Sequence, residues 1–261
     1  MTNDGRKMNP FEALPPKPRP SLRSVFIWGA LFLLSIPFHS SAGWAWYDRT
    51  HIAVATAAGY RQSYNAAGAD IAKVKAGAVE EKNHFFNNNR NMEVTQETVL
   101  GQAGRYNDPN DEEGHLYGAI ISSLREFKKI KSAGKFAEYH MAFAAHYIGD
   151  LSQPLHNTPR DRFNIDHHPQ NDGIVEDEVS DQIGEIQKHM YPIELDPSHF
   201  EEDLAKAIAR IANISRNLGL RLKAENRDLT KEEAYTQLGH SASLLRAVLM
   251  AVGEISGRGS R

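Results

Sequence analysis

His146-Tyr-Ile-Gly-Asp150-Leu-Ser-Gln-Pro-Leu-His156 decides how the rest of the chain is read. The apolar run over 141–148 predicts a buried helix, and on a helix residues four apart share a face. His146 and Asp150 therefore aim an imidazole and a carboxylate at one point. That is metal-ligand geometry, although the pair alone also suits a buried histidine satisfied by an aspartate. Pro154 interrupts the backbone ladder and biases Gln153 away from helix, so the chain kinks or stops just before a second histidine, His156. Borderline-soft Zn²⁺ accepts such nitrogen and oxygen donors.

Downstream, His168-Pro-Gln-Asn-Asp172 repeats the four-residue spacing. Residues 157–166 read as a charged loop, and Pro169 is pre-set for the first turn of a helix expected to continue through Ile174, Val175, Val179 and Ile183. His167 would need Asn171, a poor zinc ligand, as its partner; it is kept for a place behind the ligands or on the substrate side. Together, His146, Asp150, the following Gln-Pro-Leu-His and the later His168 and Asp172 resemble the zinc-dependent phospholipase C and S1/P1 nuclease superfamily. The resemblance implies a mainly helical domain holding three zinc ions through histidines, aspartates and the amino-terminal tryptophan of the mature chain. It therefore demands a tryptophan just after a signal-peptide cleavage site, with a histidine close behind.

Residues 1–23 are polar and proline-rich with Arg6, Lys7, Lys17, Arg19 and Arg23, and lead into an apolar run over 25–38. That run is short for a membrane span and has the flanks of a secretory segment, so export to the periplasm or medium is expected, with an uncleaved anchor as the alternative. Gly43 and Ala45 supply the small residues wanted at the third and first positions before a cut, which makes 1–45 the signal peptide and leaves Trp46 as the new terminus. A cut after Ala42 would compete. His51 follows Trp46 by five, the spacing of the nuclease branch. A freed α-amine and its own carbonyl oxygen can chelate one metal together, which gives a terminal tryptophan a chemical role.

Of the 30 Lys plus Arg and 33 Asp plus Glu, five and two precede Trp46, which leaves 25 against 31 and a net charge of −6 over 46–261. No basic stripe of the kind that neutralises nucleic-acid phosphates is present, although bound zinc would add positive charge. With no cysteine, disulfides, thiolate zinc sites and a cysteine nucleophile are excluded. Residues 46–261 suffice for one domain with a sizeable core.

Sustained period-two alternation is missing, so the domain is expected to be all-α. Helices are predicted from His51 to near Gly59 and over 69–86, 95–103 and 116–131, with the polar 87–91 as a loop. Ser198-x-x-Glu201 and Thr230-x-x-Glu233 read as capping boxes, each opening a long helix with an apolar stripe. His84, His140, His189, His199 and His240 have no acidic or histidine partner at a spacing useful to the family that the chain resembles, and read as surface or core residues.

The resemblance also wants an aspartate and then a histidine between the first helix and the His146 helix, and Asp108 with His115, on the turn-rich acidic loop over 106–115, best fits. Asp111 or Glu113 could take the carboxylate's place. By resemblance, Asp108, His115, His146 and Asp150 hold one zinc, Asp150 bridges to a second held by Trp46 and His51, and His156, His168 and Asp172 hold the third. Asp108 would orient or deprotonate the attacking water. The function so implied is an exported zinc-dependent phosphoric-ester hydrolase acting as a monomer. Lack of cysteine, the short segment from His156 to His168 and the acidic balance favour a phospholipase C-like activity on phospholipid. Asp172 and the tryptophan-to-histidine spacing favour a nuclease of the S1/P1 type, with nucleic acid as substrate. A non-catalytic zinc-binding envelope protein is the reading from another class.

Overall fold

Helices make up the regular structure, as the absence of strand patterning requires. The computed structural model describes residues 46–256, and the expected signal segment, its cut site and the alternative anchor lie outside these described residues. The described helices are α1 Asp48–Ala58, α2 Gly68–Ala76, α3 Ala78–Glu81, α4 Gln96–Gln102, α5 Leu116–Ser132, α6 Glu138–Leu151, α7 Arg162–Asp172, α8 Ile183–Lys188, α9 Phe200–Glu225 and α10 Lys231–Ala251. Short 3₁₀ turns, among them Ser63–Ala67 and Pro154–Asn157, join them, and no strand occurs among the described residues. None of these helices is long and apolar enough to cross a membrane.

α6 is the axis of the domain. Every residue from Met141 to Leu151 is buried, as expected for a helix apolar on all sides, and α6 packs against α5, α10, α1 and α2. His146 and Asp150 are thus placed in the interior by the hydrophobicity of their neighbours. α1 is alanine-rich because it is covered on two sides. Ala55 and Ala58 join the main core with α5, α6, α9 and α10, while Ala53, Val54 and Ala57 join a second core with Trp46, Val175, Leu218 and Leu222.

Gly59 ends α1 with φ 87°, a left-handed conformation that costs glycine least. The start of α1 has no cap of its own; Glu176 supplies one from afar. Its carboxylate accepts from the Arg49 N–H (2.9 Å), the Thr50 N–H (3.0 Å) and the Thr50 hydroxyl (2.8 Å), which satisfies orphan donors and adds negative charge at the positive end of the helix.

Three segments depart from the expected pattern. The helix predicted over 69–86 is broken at Gly77, whose φ of 57° separates α2 from the single turn of α3. α7 begins earlier than predicted, because the Asp161 carboxylate accepts from the Asn164 N–H at 3.1 Å and caps it there; Pro169 sits inside the helix, which stops at Gly173 instead of running on to Ile183. Ser198 makes no capping box. Its N–H and hydroxyl bond to Asp196, at 2.8 and 2.6 Å, and Glu201 pairs with Arg125. The Thr230 and Glu233 box forms as expected.

Candidate metal centre

Six elements deliver nitrogen and oxygen donors to one buried place. α6 contributes His146 and Asp150, α1 His51, α2 Asp70, the turn after α3 His84, the Pro154–Asn157 turn His156, and α7 His168 and Asp172. Among the described residues, three groups could each hold a metal ion: His51, Asp70 and His146; His84, His146 and Asp150; and His156, His168 and Asp172. Within each group the donor atoms lie within 4.8 Å of one another.

Asp150 ties the groups together. Its Oδ1 lies 3.3 Å from His51 Nε2 and 3.8 Å from His156 Nδ1, and its Oδ2 lies 3.0 Å from His84 Nδ1 and 3.3 Å from His146 Nε2. His84 Nδ1 and His146 Nε2 are 3.1 Å apart, and His168 Nε2 is 3.4 Å from Asp172 Oδ2. Donors about 2.0–2.2 Å from a tetrahedral ion are separated from one another by roughly 3.3–3.6 Å, so these spacings suit a shared cation.

The surrounding residues hold the rings in the required tautomers. His146 Nδ1 donates to the Ala66 carbonyl at 2.7 Å, which makes Nε2 the nitrogen that faces the cluster, and His168 Nδ1 meets Asn164 Oδ1 at 2.9 Å. The Gln153 amide donates to Asp172 Oδ1, giving the glutamine of the Gln-Pro-Leu-His segment a task. Gly149 makes room: a Cβ there would come within 2.4 Å of His51 Nδ1. His51 Nε2, Asp150 Oδ1, both nitrogens of His156 and Asp172 Oδ2 are buried without a hydrogen bond, while His84 turns Nδ1 to the cluster and Nε2 to Glu80, 3.4 Å away. Orphaned polar atoms of this kind cost about 1–3 kcal/mol each unless something coordinates them, so the donor set fits a metal.

Charge follows from burial and neighbours. Burial opposes charge on His146, but the adjacent Asp150 and Asp70 carboxylates and the Ala66 carbonyl push it up to about 9. Burial drives His156 down to about 4, and burial with the neighbouring His156 holds His168 well below the usual imidazole range. Burial raises Asp172 well above an ordinary carboxylate. The metal-free protein therefore keeps a proton on His146 at neutral pH, and a metal must displace it. Titrating Zn²⁺ into chelator-stripped protein at pH 7, by calorimetry in buffers of different ionisation enthalpy, should show release of about one proton or more. Uptake with no proton release would place the metal elsewhere.

The structure assembles His51, His146, Asp150, His156, His168 and Asp172, and it does not bring Asp108 or His115 to them. His115 uses both ring nitrogens, with Asp111 Oδ2 at 2.9 Å and Asn83 Oδ1 at 2.8 Å, while Asp108 Oδ1 accepts from the Asn110 N–H at 2.9 Å in a local turn. Asp111 is committed as well, to Arg105 and His115. The carboxylate and imidazole that lie beside His146 are Asp70 and His84, with Asp70 Oδ1 3.8 Å from both His84 Nδ1 and His146 Nε2. The acidic loop instead backs the site, since Asn83, beside His84, bonds to both Asn107 and His115. Asp70 and His84 share no helical spacing. Their order along the chain, after α1 and before His146, was the signal available, and Asp108 with His115 satisfied it too.

His84 is wholly buried in the cluster, contrary to the reading of it as a bystander. His167 is turned away, its Nδ1 2.7 Å from Asp228 Oδ1. Trp46 is buried, its side chain packed in the second core against α1. In comparisons with known proteins, no family model, curated protein or solved structure matches this chain.

Proposed function

We propose that the chain is a zinc-dependent hydrolase of phosphoric esters that acts on phospholipid in the manner of a phospholipase C. The observation that carries this reading is Asp150, whose two oxygens face different sets of imidazoles and so join adjacent metal-holding groups into one cluster. Bound zinc supplies Lewis acidity, which makes water nucleophilic at neutral pH and neutralises charge on a phosphoryl group.

The side chains around the cluster have complementary tasks. Asp70 is its partly open carboxylate, 21 % exposed where Asp150 is fully buried. Burial opposes its ionisation, yet His146, His84 and Lys73 hold Asp70 well below the usual carboxylate range, so it stays charged as an acceptor that can orient a water. The role of orienting water, expected of Asp108, therefore passes to Asp70. Lys73 places its ammonium 2.8 Å from Asp70, where it can meet the phosphate of a bound substrate.

The acidic balance of the domain supports lipid ahead of nucleic acid. Assayed side by side with zinc-loaded protein, a phosphatidylcholine should be split to diacylglycerol and phosphorylated head group faster than single-stranded DNA or RNA is cut. Faster cleavage of nucleic acid would make the protein a nuclease, and turnover of neither would leave a metal-binding protein without this activity.

A further inference from the structure

α2 carries Asp70 into the cluster and leaves two aliphatic side chains in solvent. Ile71 is 66 % exposed and Val74 86 %. Three aromatic side chains on neighbouring segments are also exposed: Tyr64 at 81 %, Phe136 at 83 % and Tyr139 at 57 %. These segments meet. The Ser63–Ala67 turn and α2 both pack on α6; Phe143 lies 4.0 Å from the Cβ position of Gly68, the Tyr139 and Phe143 rings pack tilted with centroids 4.2 Å apart, and the Tyr60 hydroxyl donates to Glu138. Large side chains concentrated in this way mark an interaction surface, whereas isolated exposed ones need no explanation.

The charges on this face select the partner. Within 59–81 and 135–139 the acidic residues are Asp70, directed to the cluster, Glu80, buried against Tyr147, Glu81, which faces Arg160, and Glu138, bonded to Tyr60; the basic residues are Arg61, Lys73, Lys75 and Lys135. In a domain of net negative charge this face is cationic and apolar together. A second copy on a two-fold axis would bring Arg61, Lys75 and Lys135 against a face of the same sign.

We infer that this face docks the protein on an anionic lipid bilayer. Ile71, Val74, Phe136 and the two tyrosines enter the head-group layer, the lysines contact lipid phosphates, and the opening at Asp70 is held close to the membrane. The purpose of such docking rests on the lipid reading above, but docking itself is measured without hydrolysis.

The test is sedimentation of zinc-loaded protein with phosphatidylglycerol-containing vesicles and with pure phosphatidylcholine vesicles, for the wild type, an Ile71→Ser, Val74→Ser, Phe136→Ser triple variant and a Lys75→Glu, Lys135→Glu double variant. Wild type should bind the anionic vesicles more tightly, and salt should weaken it. Each variant should lose about tenfold or more in partitioning with an unchanged melting temperature and unchanged turnover of a soluble phosphodiester. Equal partitioning of all three proteins would overturn the inference. So would a wild-type dimer, seen by light scattering, that the triple variant dissolves, or lysine-dependent retention of single-stranded DNA without vesicle binding. Vesicle binding without lipid hydrolysis would leave docking intact and remove the proposed activity; hydrolysis of a short-chain lipid without vesicle binding would do the reverse.

Discussion

Asp150→Ala should lower turnover of any phosphoric ester on the order of 10³-fold or more and release most of the bound metal. Four imidazoles, those of His51, His84, His146 and His156, lie within 3.8 Å of this one carboxylate, so its loss leaves several positive centres without a shared anion. Residues that act as a unit fail together, and the effect should far exceed the several-fold change typical of a packing defect. Asp150→Asn, which keeps the volume and removes the charge, should be nearly as inactive. The same assay separates the two histidines that compete for one role. His84→Ala should lose metal because the ring faces Asp150 and His146, whereas His115→Ala should retain its full complement and lose only the support it gives Asn83. Metal loss in His115→Ala with full retention in His84→Ala would reverse the placement. His189→Ala and His240→Ala, outside the cluster, should behave as wild type.

The second large effect concerns the amino terminus. If Trp46 is freed by processing and its α-amine takes a metal beside His51, any residue left in front turns that amine into a peptide nitrogen, which is planar, delocalised and a poor ligand at neutral pH. A precursor tagged immediately before Trp46 should then lack the metal shared with His51 and be nearly inactive. The sites built on His84, His146, His156 and His168 should still fill. Releasing Trp46 with a protease that leaves no extra residue should restore both zinc content and turnover. Full activity in the uncleaved form would remove the amine from the ligand set, and a natural cut after Ala42 would remove the premise.

Local periodicity settled a good deal. His146 with Asp150 and His168 with Asp172 were legible because a helix places residues four apart on one face, and His156 because Pro154 stops that helix just before it. The all-α class followed from the same periodicity, and the ends of α1, α5 and α10 from Gly59, the apolar run after His115 and the Thr230 box. The boundaries that failed were those set by competition between capping groups. Asp161 outbids Pro169 as the start of α7, and Asp196 takes the hydroxyl that Ser198 would have used as a cap.

The remaining members of the cluster belong to tertiary structure. Asp70 reaches the cluster because Gly77 breaks the chain after α2, and His84 because the turn after α3 folds back beneath α6; neither event has a periodic signature. Asp108 and His115 offered the same residue types in the same order, and packing alone distinguished the pairs, by spending both nitrogens of His115 on Asp111 and Asn83. The sequence by itself determined the helices and the donors that lie one helical turn apart. Which distant carboxylate and imidazole complete the cluster was decided by long-range burial, because a donor becomes a ligand only when the fold leaves its lone pair facing the centre and its other atoms satisfied.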